Sequence, residues 1–333
     1  MLKKILFISF LTLFFLPTLI SAQNKSKSSD EKGTSADSPI EIKANVLVLD
    51  AEGRVADDIN QNDIKIFEDG VEQKITYFAK KEPVTNLGLL IDNTGSMRFQ
   101  LEKILETSSK IVNNLGENDE AFIVRFVNTE KTRIFLDWTS SKPLLNRAIS
   151  NMYVEGGISA ITDAINLGWM KITQREKEND RQKYALVLIS DCEERNSVSD
   201  LSQILFKMKN TDIQIHVIAL TEELNLESMV RGIGKPKDKK KGTPKENAEA
   251  FAAYLAFQTG GRAFILDKKS KMSVDDIVKN LTDELRSQIV IKYVSTNPNR
   301  GNRERKLTVQ IADDENGRKR RGVIRENFIV PKE

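Results

Sequence analysis

The chain is organised around the stretch Leu87-Gly88-Leu89-Leu90-Ile91-Asp92-Asn93-Thr94-Gly95-Ser96-Met97. In this stretch an apolar run ends at Asp92, two hydroxyl side chains follow at a spacing of two, and an amphipathic helical pattern then begins. Such a run is typical of a buried parallel strand, so the D-x-T-x-S segment is predicted to connect the strand's carboxyl end to a helix. One carboxylate and two hydroxyls make an all-oxygen set that suits Mg²⁺, Mn²⁺ or Ca²⁺. The alternative is that Asp92 starts a turn and Ser96 caps the helix.

Strand and helix patterns alternate between residues 83 and 284. The first predicted strand is Asn86–Asp92, and the last is Arg262–Leu266. Strands separated by helices predict an α/β fold with a doubly wound, mostly parallel sheet. The strands Ala121–Val127 and Arg133–Trp138 are an exception, because the short connection between them favours antiparallel pairing.

The segments on either side of this region carry strand patterns. Asp69-Gly70 lies between alternating runs within Ile64–Phe78, which is the strongest short signal for a β-hairpin. The C-terminal segment contains three further runs of strand character, Ile289–Val294, Lys306–Ile311 and Val323–Val330. Neither flank is long enough to bury a core alone. We therefore predict that residues 41–82 and 285–333 pack as one small β-sandwich, with the α/β domain at 83–284 inserted between them.

The N-terminal segment carries the pattern of an export signal. Lys3 and Lys4 precede an apolar run that ends near Ser21-Ala22, which is the layout of a cleaved secretory signal over residues 1–22. Residues 23–40 are rich in Ser, Lys, Asp and Gly and are predicted to be a disordered linker. These features predict a secreted or periplasmic protein with no integral membrane segment after cleavage. An uncleaved membrane anchor is the alternative.

The composition of the 333 residues is that of a charged, soluble globular protein, with 39% hydrophobic and 30% charged residues. Without Lys3 and Lys4 the formal net charge falls from +3 to +1, so basic character is local.

Residues 232–247 contain six lysines and two prolines and are predicted to be an inert, solvated loop. Nucleic acid is not expected as a partner of an exported chain. Its basic clusters are therefore interpreted first as a solvated face and second as a surface for an acidic partner. These clusters are formed by Arg300, Arg303, Arg305, Lys306, Arg318, Lys319, Arg320 and Arg321.

Two further loops are predicted to reach the same edge of the sheet as Asp92. In an open α/β sheet, ligands bind outside the carboxyl ends of the strands, where the strand order reverses. Ser159 lies in Gly156–Ala164, just before a predicted helix, and Asp191 follows the apolar strand Tyr184–Ser190. The candidate ligands of one divalent cation are therefore Asp92, Thr94, Ser96, Ser159 and Asp191.

These segments resemble the metal-ion-dependent adhesion site (MIDAS) of the von Willebrand factor A domain family, which has a D-x-S-x-S loop, a threonine in a second loop and an aspartate in a third. The resemblance spans about residues 84–267, and the flanks resemble those of secreted bacterial members, including Phe67-Glu68-Asp69-Gly70. It implies that Thr94 and Ser96 ligate Mg²⁺ directly, with Ser159 as the second-loop hydroxyl. By the same resemblance, the direct or water-mediated carboxylate ligands are Asp92 and Asp191.

Three positions depart from the family pattern. Thr94 stands where serine is usual and Ser159 where threonine is usual, which preserves both hydroxyls. Cys192 follows Asp191 where glycine is common, and this narrows the conformational freedom of the loop. As the only cysteine, Cys192 forms no internal disulfide. It is interpreted either as a small loop filler or as a free thiol able to link to a partner.

The site is predicted to bind a partner and not to catalyse a reaction. By the resemblance, one coordination position stays open for an acidic side chain of a protein ligand, which can replace a water on Mg²⁺. No general base is apparent near these loops, and the only histidine, His216, is interpreted as a satisfied residue in the middle of a strand. We therefore predict an exported, metal-dependent adhesion module that is not an enzyme. The alternatives are a metal-dependent hydrolase and a structural envelope scaffold with an unused metal site.

Overall fold

The computed structural model describes residues 39–81, 84–175, 182–209, 211–222, 224, 242–270 and 272–330. The predicted signal peptide, nearly all of the predicted linker and most of the lysine-rich segment therefore lie outside the described residues. Among the helices in these ranges, none combines the length and apolar character needed to cross a membrane.

The secondary structure alternates between strands and helices in the centre of the chain and is mostly β at both ends. The strands are β1 (Glu41–Leu49), β2 (Ile64–Glu68), β3 (Val71–Gln73), β4 (Ile75–Lys81), β5 (Val84–Asp92), β6 (Glu120–Phe126), β7 (Arg133–Thr139), β8 (Gln182–Ser190), β9 (Gln214–Leu220), β10 (Ala263–Leu266), β11 (Gln288–Val294), β12 (Gly301–Ile311), β13 (Arg321–Val323) and β14 (Asn327–Val330). The α-helices are α1 (Leu101–Asn113), α2 (Lys142–Ser150), α3 (Ile161–Thr173), α4 (Leu201–Met208), α5 (Pro244–Thr259) and α6 (Val274–Arg286).

A six-stranded sheet in the order β10-β9-β8-β5-β6-β7 forms the centre of the fold. Its neighbouring strands are parallel except for β6 and β7, as the short connection between them predicts. Along β5, Leu87 and Leu89 pack in the core that contains α1 and α6, whereas Leu90 packs in the core that contains α3. Burial on both faces explains why the strand reads as a continuous apolar run. The predicted α/β fold with a mostly parallel sheet is confirmed.

The flanking segments form two four-stranded antiparallel sheets, in the orders β13-β1-β11-β4 and β14-β12-β2-β3. Each sheet joins the two ends of the described chain, because β1 pairs with β11 and β2 pairs with β12. The facing side chains share one core, in which Ile66, Ile291 and Tyr293 are fully buried. The two flanks therefore stabilise each other as a β-sandwich, with the α/β region between them in sequence.

The second strand of the predicted hairpin within Ile64–Phe78 is divided between the two sheets of the sandwich, and so is the predicted strand Val323–Val330. The Asp69-Gly70 hairpin is confirmed, since both residues have positive φ (49° and 84°) and β2 pairs with β3. The chain leaves that sheet at Lys74, however, and β4 pairs with β11 in the other sheet. The predicted strand Val323–Val330 likewise becomes β13 and β14 in different sheets. Side-chain alternation does not reveal such a crossing, because both parts of the chain alternate in the same way.

Helix α5 begins before its predicted start at Ala248. The Thr243 hydroxyl accepts a hydrogen bond from the Glu246 N–H at 3.2 Å, and the Glu246 carboxylate accepts one from the Thr243 N–H at 2.8 Å. This capping box, with Pro244 in the first turn, is a start signal that the sequence analysis missed. The end of the segment at 232–247 is therefore helical and not a loop.

Polar contacts join the sandwich to the amino ends of strands in the central sheet. The Arg262 guanidinium, just before β10, binds the Glu284 carboxylate of α6 and donates to the Gly53 carbonyl at 3.0 Å. Arg325, between β13 and β14, donates to the Met208 carbonyl at 2.7 Å. The sandwich thus contacts the edge of the sheet opposite to the carboxyl ends of the strands.

Candidate metal centre

The candidate ligands lie at the carboxyl edge of the central sheet, where the strand order changes direction. β5 has β6 on one side and β8 on the other, which is the switch point at which open α/β sheets bind ligands. Asp92 is the last residue of β5, and Asp191 directly follows β8. Ser159 approaches the same edge from the connection before α3, where the Ala160 N–H donates to the Val127 carbonyl at 3.1 Å. The topology therefore brings the three predicted loops together.

Asp92 occupies the centre of the site and is fully buried. Its Oδ1 accepts hydrogen bonds from the Thr94 N–H at 2.9 Å and from the Thr94 hydroxyl at 2.7 Å. Its Oδ2 accepts from the Ser190 hydroxyl at 2.6 Å and from the Ser159 hydroxyl at 3.4 Å. One carboxylate thus gathers hydroxyl groups from all three loops.

Thr94 and Ser96 place two buried hydroxyls side by side, with their oxygens 3.0 Å apart. Ser96 belongs to a short 3-10 turn, Gly95–Phe99, that comes before α1, which begins only at Leu101. Ser96 therefore does not cap α1, and that part of the alternative is wrong. Asp92 does start a turn, since it accepts from the Thr94 N–H, but the turn also aims both hydroxyls at the site.

Hydrogen bonds between the loops hold the site in one arrangement. The Ser159 carbonyl accepts from the N–H groups of Arg195 and Asn196 at 3.1 and 3.0 Å, which ties the second loop to the third. The Asn93 side chain donates to the Tyr153 carbonyl at 3.0 Å, which ties the first loop to the second. The donor groups are therefore positioned by their supporting contacts before any ligand arrives.

Ser190 belongs to the site, although the sequence analysis did not include it. Its hydroxyl donates to Asp92 and accepts from the Cys192 N–H at 3.0 Å. The neighbouring Asp191 is buried, and its Oδ1 accepts from the Glu193 N–H at 3.0 Å. The local signal was a hydroxyl residue at the end of an otherwise apolar strand, which by itself does not indicate a partner.

The electrostatics of the site favour a cation. Burial, followed by the nearby charge of Asp191, raises the pKa of Asp92 to about 7, although hydrogen bonds from Ser190 and Thr94 oppose this. Buried carboxylates are costly unless a positive charge compensates them, and hydroxyl and carboxylate oxygens are the donors that Mg²⁺ prefers. Within the described ranges, no three His, Cys, Asp or Glu side chains are arranged so that they alone could hold a metal ion, so the fit depends on the hydroxyls as well as the two aspartates. The donor set fits a divalent cation.

Comparison with known proteins identifies the family. The family model of the von Willebrand factor type A domain matches residues 86–252, which is half of the chain. The chain belongs to the von Willebrand factor type A (VWA) family. Among solved structures, it is similar to BatB from Bacteroides thetaiotaomicron, at 18% identity and a TM-score of 0.43, over 60% of this chain and 98% of that one. It is also similar to a von Willebrand factor type A protein from Catenulispora acidiphila, at 9% identity and a TM-score of 0.45, over 83% and 76%. No curated protein matches the chain.

Cys192 takes the VWA loop position at which glycine is common, and its φ of 62° lies in the left-handed region that glycine favours. Its side chain is only 2% exposed. Burial, followed by the charges of Asp191 and Asp92, raises the pKa of the thiol, so the sulfur stays protonated. These observations support the interpretation of Cys192 as a loop filler and leave its thiol inaccessible to a partner in this conformation.

Two other acidic side chains of the VWA loops are already bound within the protein. Glu194 accepts from the Thr162 N–H at 2.7 Å, at the start of α3. Glu155 pairs with Lys131 and Arg125, each at 2.7 Å, and these two cations hold the pKa of Glu155 at about 2. These carboxylates shape the loops and are not free to act as a general base.

His216 is buried in β9 of the VWA sheet, where it pairs with Val187 in the interior of the strands. It is not satisfied as predicted, because neither ring nitrogen has a hydrogen-bond partner among the described residues. His216 Nδ1 lies 3.8 Å from Glu284 Oε2, which is too far for a hydrogen bond. Burial, followed by the charges of Lys183 and Arg262, lowers the pKa of His216 to about 3. The ring is therefore neutral and does not reach the candidate metal centre.

Proposed function

We propose that this VWA chain is an exported, metal-dependent protein-binding module of the adhesion type. The observation that carries the proposal is the convergence of three hydroxyls and two buried carboxylates from three loops at the switch point of the sheet. The proposed ligands of the cation are Asp92, Thr94, Ser96, Ser159 and Asp191. Export rests on the predicted signal peptide at residues 1–22.

The proposed cation is Mg²⁺, with Mn²⁺ or Ca²⁺ as alternatives, and when bound it supplies a positive centre that attracts a carboxylate. Thr94 and Ser96 would hold it through neutral hydroxyls, which leave more of its charge for a partner than carboxylate ligands would. Asp92 and Asp191 would bind directly or through water. Ser190 would orient Asp92 through the 2.6 Å hydrogen bond. The proposed partner is a protein that presents an aspartate or glutamate.

A binding role suits these loops better than a catalytic one. General acid–base catalysis needs a side chain that can take or give a proton within reach of the reacting group. Glu155 is paired with two cations, Glu194 caps α3, and His216 is buried in the sheet away from the loops. We therefore propose that the chain is not an enzyme.

Calorimetric titration with Mg²⁺, Mn²⁺ and Ca²⁺ tests the proposed function. Wild type should bind one of these ions at one site per chain, and Asp92→Ala should bind none. Asp137→Ala is the matched control, because Asp137 is an exposed aspartate of β7 outside the site, and it should bind like wild type. Absence of binding by wild type would favour the scaffold alternative. Metal-dependent turnover of ester or phosphate substrates would favour the hydrolase.

A further inference from the structure

Large apolar side chains are exposed in all three loops of the candidate metal centre. Phe99 is 79% exposed and Val198 is 81% exposed, and more than half of Tyr153 and of Ile158 is also accessible. We call these four residues the apolar rim. Single exposed apolar residues are normal on a protein surface, but a group of them around one site marks a contact surface.

The members of the apolar rim lie in the loops that carry the proposed ligands, and each is fixed by its neighbours in the chain or by a contact. Phe99 ends the 3-10 turn that contains Ser96, and Ile158 directly precedes Ser159. In the second loop, the Tyr153 carbonyl accepts from Asn93, and the Tyr153 ring lies 4.7 Å from the Arg125 guanidinium. In the third loop, the Val198 N–H donates to Asp163 at 3.1 Å.

These contacts hold the loops in place, so the four side chains of the apolar rim are exposed on a fixed backbone. A rigid apolar group loses little conformational entropy when it becomes buried against a partner. The apolar rim is therefore positioned before a partner binds, as are the proposed metal ligands in the same loops.

The charges around the rim favour an acidic partner. Three acidic side chains of the second and third loops are held within the protein: Glu155 pairs with Lys131 and Arg125, Glu193 pairs with Arg195, and Glu194 accepts hydrogen bonds from backbone N–H groups. Arg98, beside Phe99, is exposed and makes no ion pair within the part of the chain that the structure describes. Charge complementarity therefore adds a second attraction for negative charge, next to the position of the proposed cation.

We propose that the apolar rim and Arg98 form the docking surface for a protein segment in which an acidic residue is flanked by large apolar side chains. This inference rests on the proposed function, because that acidic residue is the one that would reach the cation. The flanking side chains pack on Phe99, Ile158 and Val198, and a second acidic residue of the segment pairs with Arg98. Specificity then comes from the rim, while the cation supplies the common attraction for a carboxylate.

Selection from a displayed library of random peptides, carried out on the full chain with Mg²⁺ and eluted with EDTA, tests this inference. The selected peptides should share an Asp or Glu flanked by Leu, Ile, Phe or Tyr, with a second acid nearby. A synthetic peptide of that consensus should bind Phe99→Ser with an affinity about tenfold to a hundredfold lower than that for wild type. This factor corresponds to the free energy of burying one large apolar side chain. Arg98→Gln should also bind it more weakly and with less dependence on salt.

Phe206→Ser is the matched control, because Phe206 is an exposed phenylalanine on α4 outside the rim, and it should bind the peptide like wild type. Metal titration of the same variants separates this inference from the proposed function. Phe99→Ser should keep the metal affinity of wild type, whereas Asp92→Ala should lose both metal and peptide. If wild type binds metal but selects no acidic–apolar consensus, or if Phe99→Ser binds the peptide normally, the inference is overturned and the proposed function stands.

Two further measurements address other occupants of the rim. If wild type binds phosphatidylserine vesicles and Phe99→Ser does not, the rim is a membrane-facing surface and the inference is overturned. If wild type self-associates in sedimentation experiments and Phe99→Ser does not, the rim covers a second copy of the chain, which also overturns it.

Discussion

Replacing Asp92 with asparagine is predicted to stabilise the metal-free protein and to abolish its response to metal. Asp92 is fully buried, and burial together with Asp191 raises its pKa to about 7. Asparagine has the same shape and keeps an oxygen that can accept from Thr94, while its amide group can donate to the serine hydroxyls. The substitution Asp92→Asn therefore removes the charge and preserves most of the packing.

The sign and size of this effect follow from proton linkage. An acid whose pKa is raised by folding contributes no penalty below its unfolded pKa, near 3.8 for Asp92, and weakens the fold progressively as pH rises toward its folded pKa. A rise from 3.8 to about 7 corresponds to a loss of about 4 kcal/mol in the metal-free protein at alkaline pH. This is an upper limit for the gain from Asp92→Asn, because the buried amide must still be hydrogen-bonded.

Urea unfolding in EDTA and in excess Mg²⁺ measures the effect. In EDTA at mildly alkaline pH, Asp92→Asn should unfold at a higher urea concentration than wild type, and below the unfolded pKa of Asp92 the difference should vanish. In Mg²⁺ at alkaline pH, wild type should gain stability from binding and the variant should not. Asp57→Asn is the control, because Asp57 is exposed and its carboxylate makes no ion pair within the described residues, and it should behave like wild type in both buffers. If Asp92→Asn is less stable than wild type in EDTA at alkaline pH, the buried charge of Asp92 does not destabilise the metal-free protein.

Three further predictions concern other buried polar groups. Ser190→Ala removes the hydroxyl that donates to Asp92 at 2.6 Å and should weaken metal binding at least about tenfold by calorimetry; an unchanged affinity would show that Ser190 does not position the carboxylate. Glu68→Ala leaves the buried Arg305 without its partner at 2.6 Å and should lower the free energy of unfolding by about 3–5 kcal/mol in urea; a loss below about 1 kcal/mol would contradict this, since that is the value of an exposed pair. Because folding lowers the pKa of His216 from 6.5 to about 3, the unfolded chain binds a proton that the folded chain does not, and stability falls as pH drops from 6.5 toward 3. His216→Gln should lose less stability than wild type over that range in urea unfolding, and parallel pH profiles would contradict the assignment.

The central sheet could be predicted because its signals are local. A strand that is covered on both faces, such as β5, must be apolar along its whole length, and the helices that cover it repeat apolar residues every three or four positions. The Asp69-Gly70 turn could also be predicted from the sequence, because few residues other than glycine, asparagine and aspartate adopt positive φ without strain. The exchange of strands between the two sheets of the sandwich at Lys74 has no such local signal, because it is decided by partners far away in the chain.

Only part of the candidate site could be predicted from the sequence. Asp92, Thr94 and Ser96 form a motif within five residues, and Ser159 and Asp191 lie beside recognisable element ends. Ser190 acts through Asp92, which is 98 positions away, and a serine at the end of a strand looks the same with or without such a partner. The unpaired ring nitrogens of His216 were missed for a similar reason, since the charged groups around that residue, Lys183, Arg262 and Glu284, come from distant parts of the chain.

Diffraction from crystals grown with Mn²⁺, with an anomalous difference map, would locate a bound cation directly. We expect one strong peak in contact with the hydroxyl oxygens of Thr94 and Ser96, with Asp92, Ser159 and Asp191 around it. A map with no peak at this position, or with the manganese bound at another place on the chain, would contradict the assignment of these loops as a metal centre.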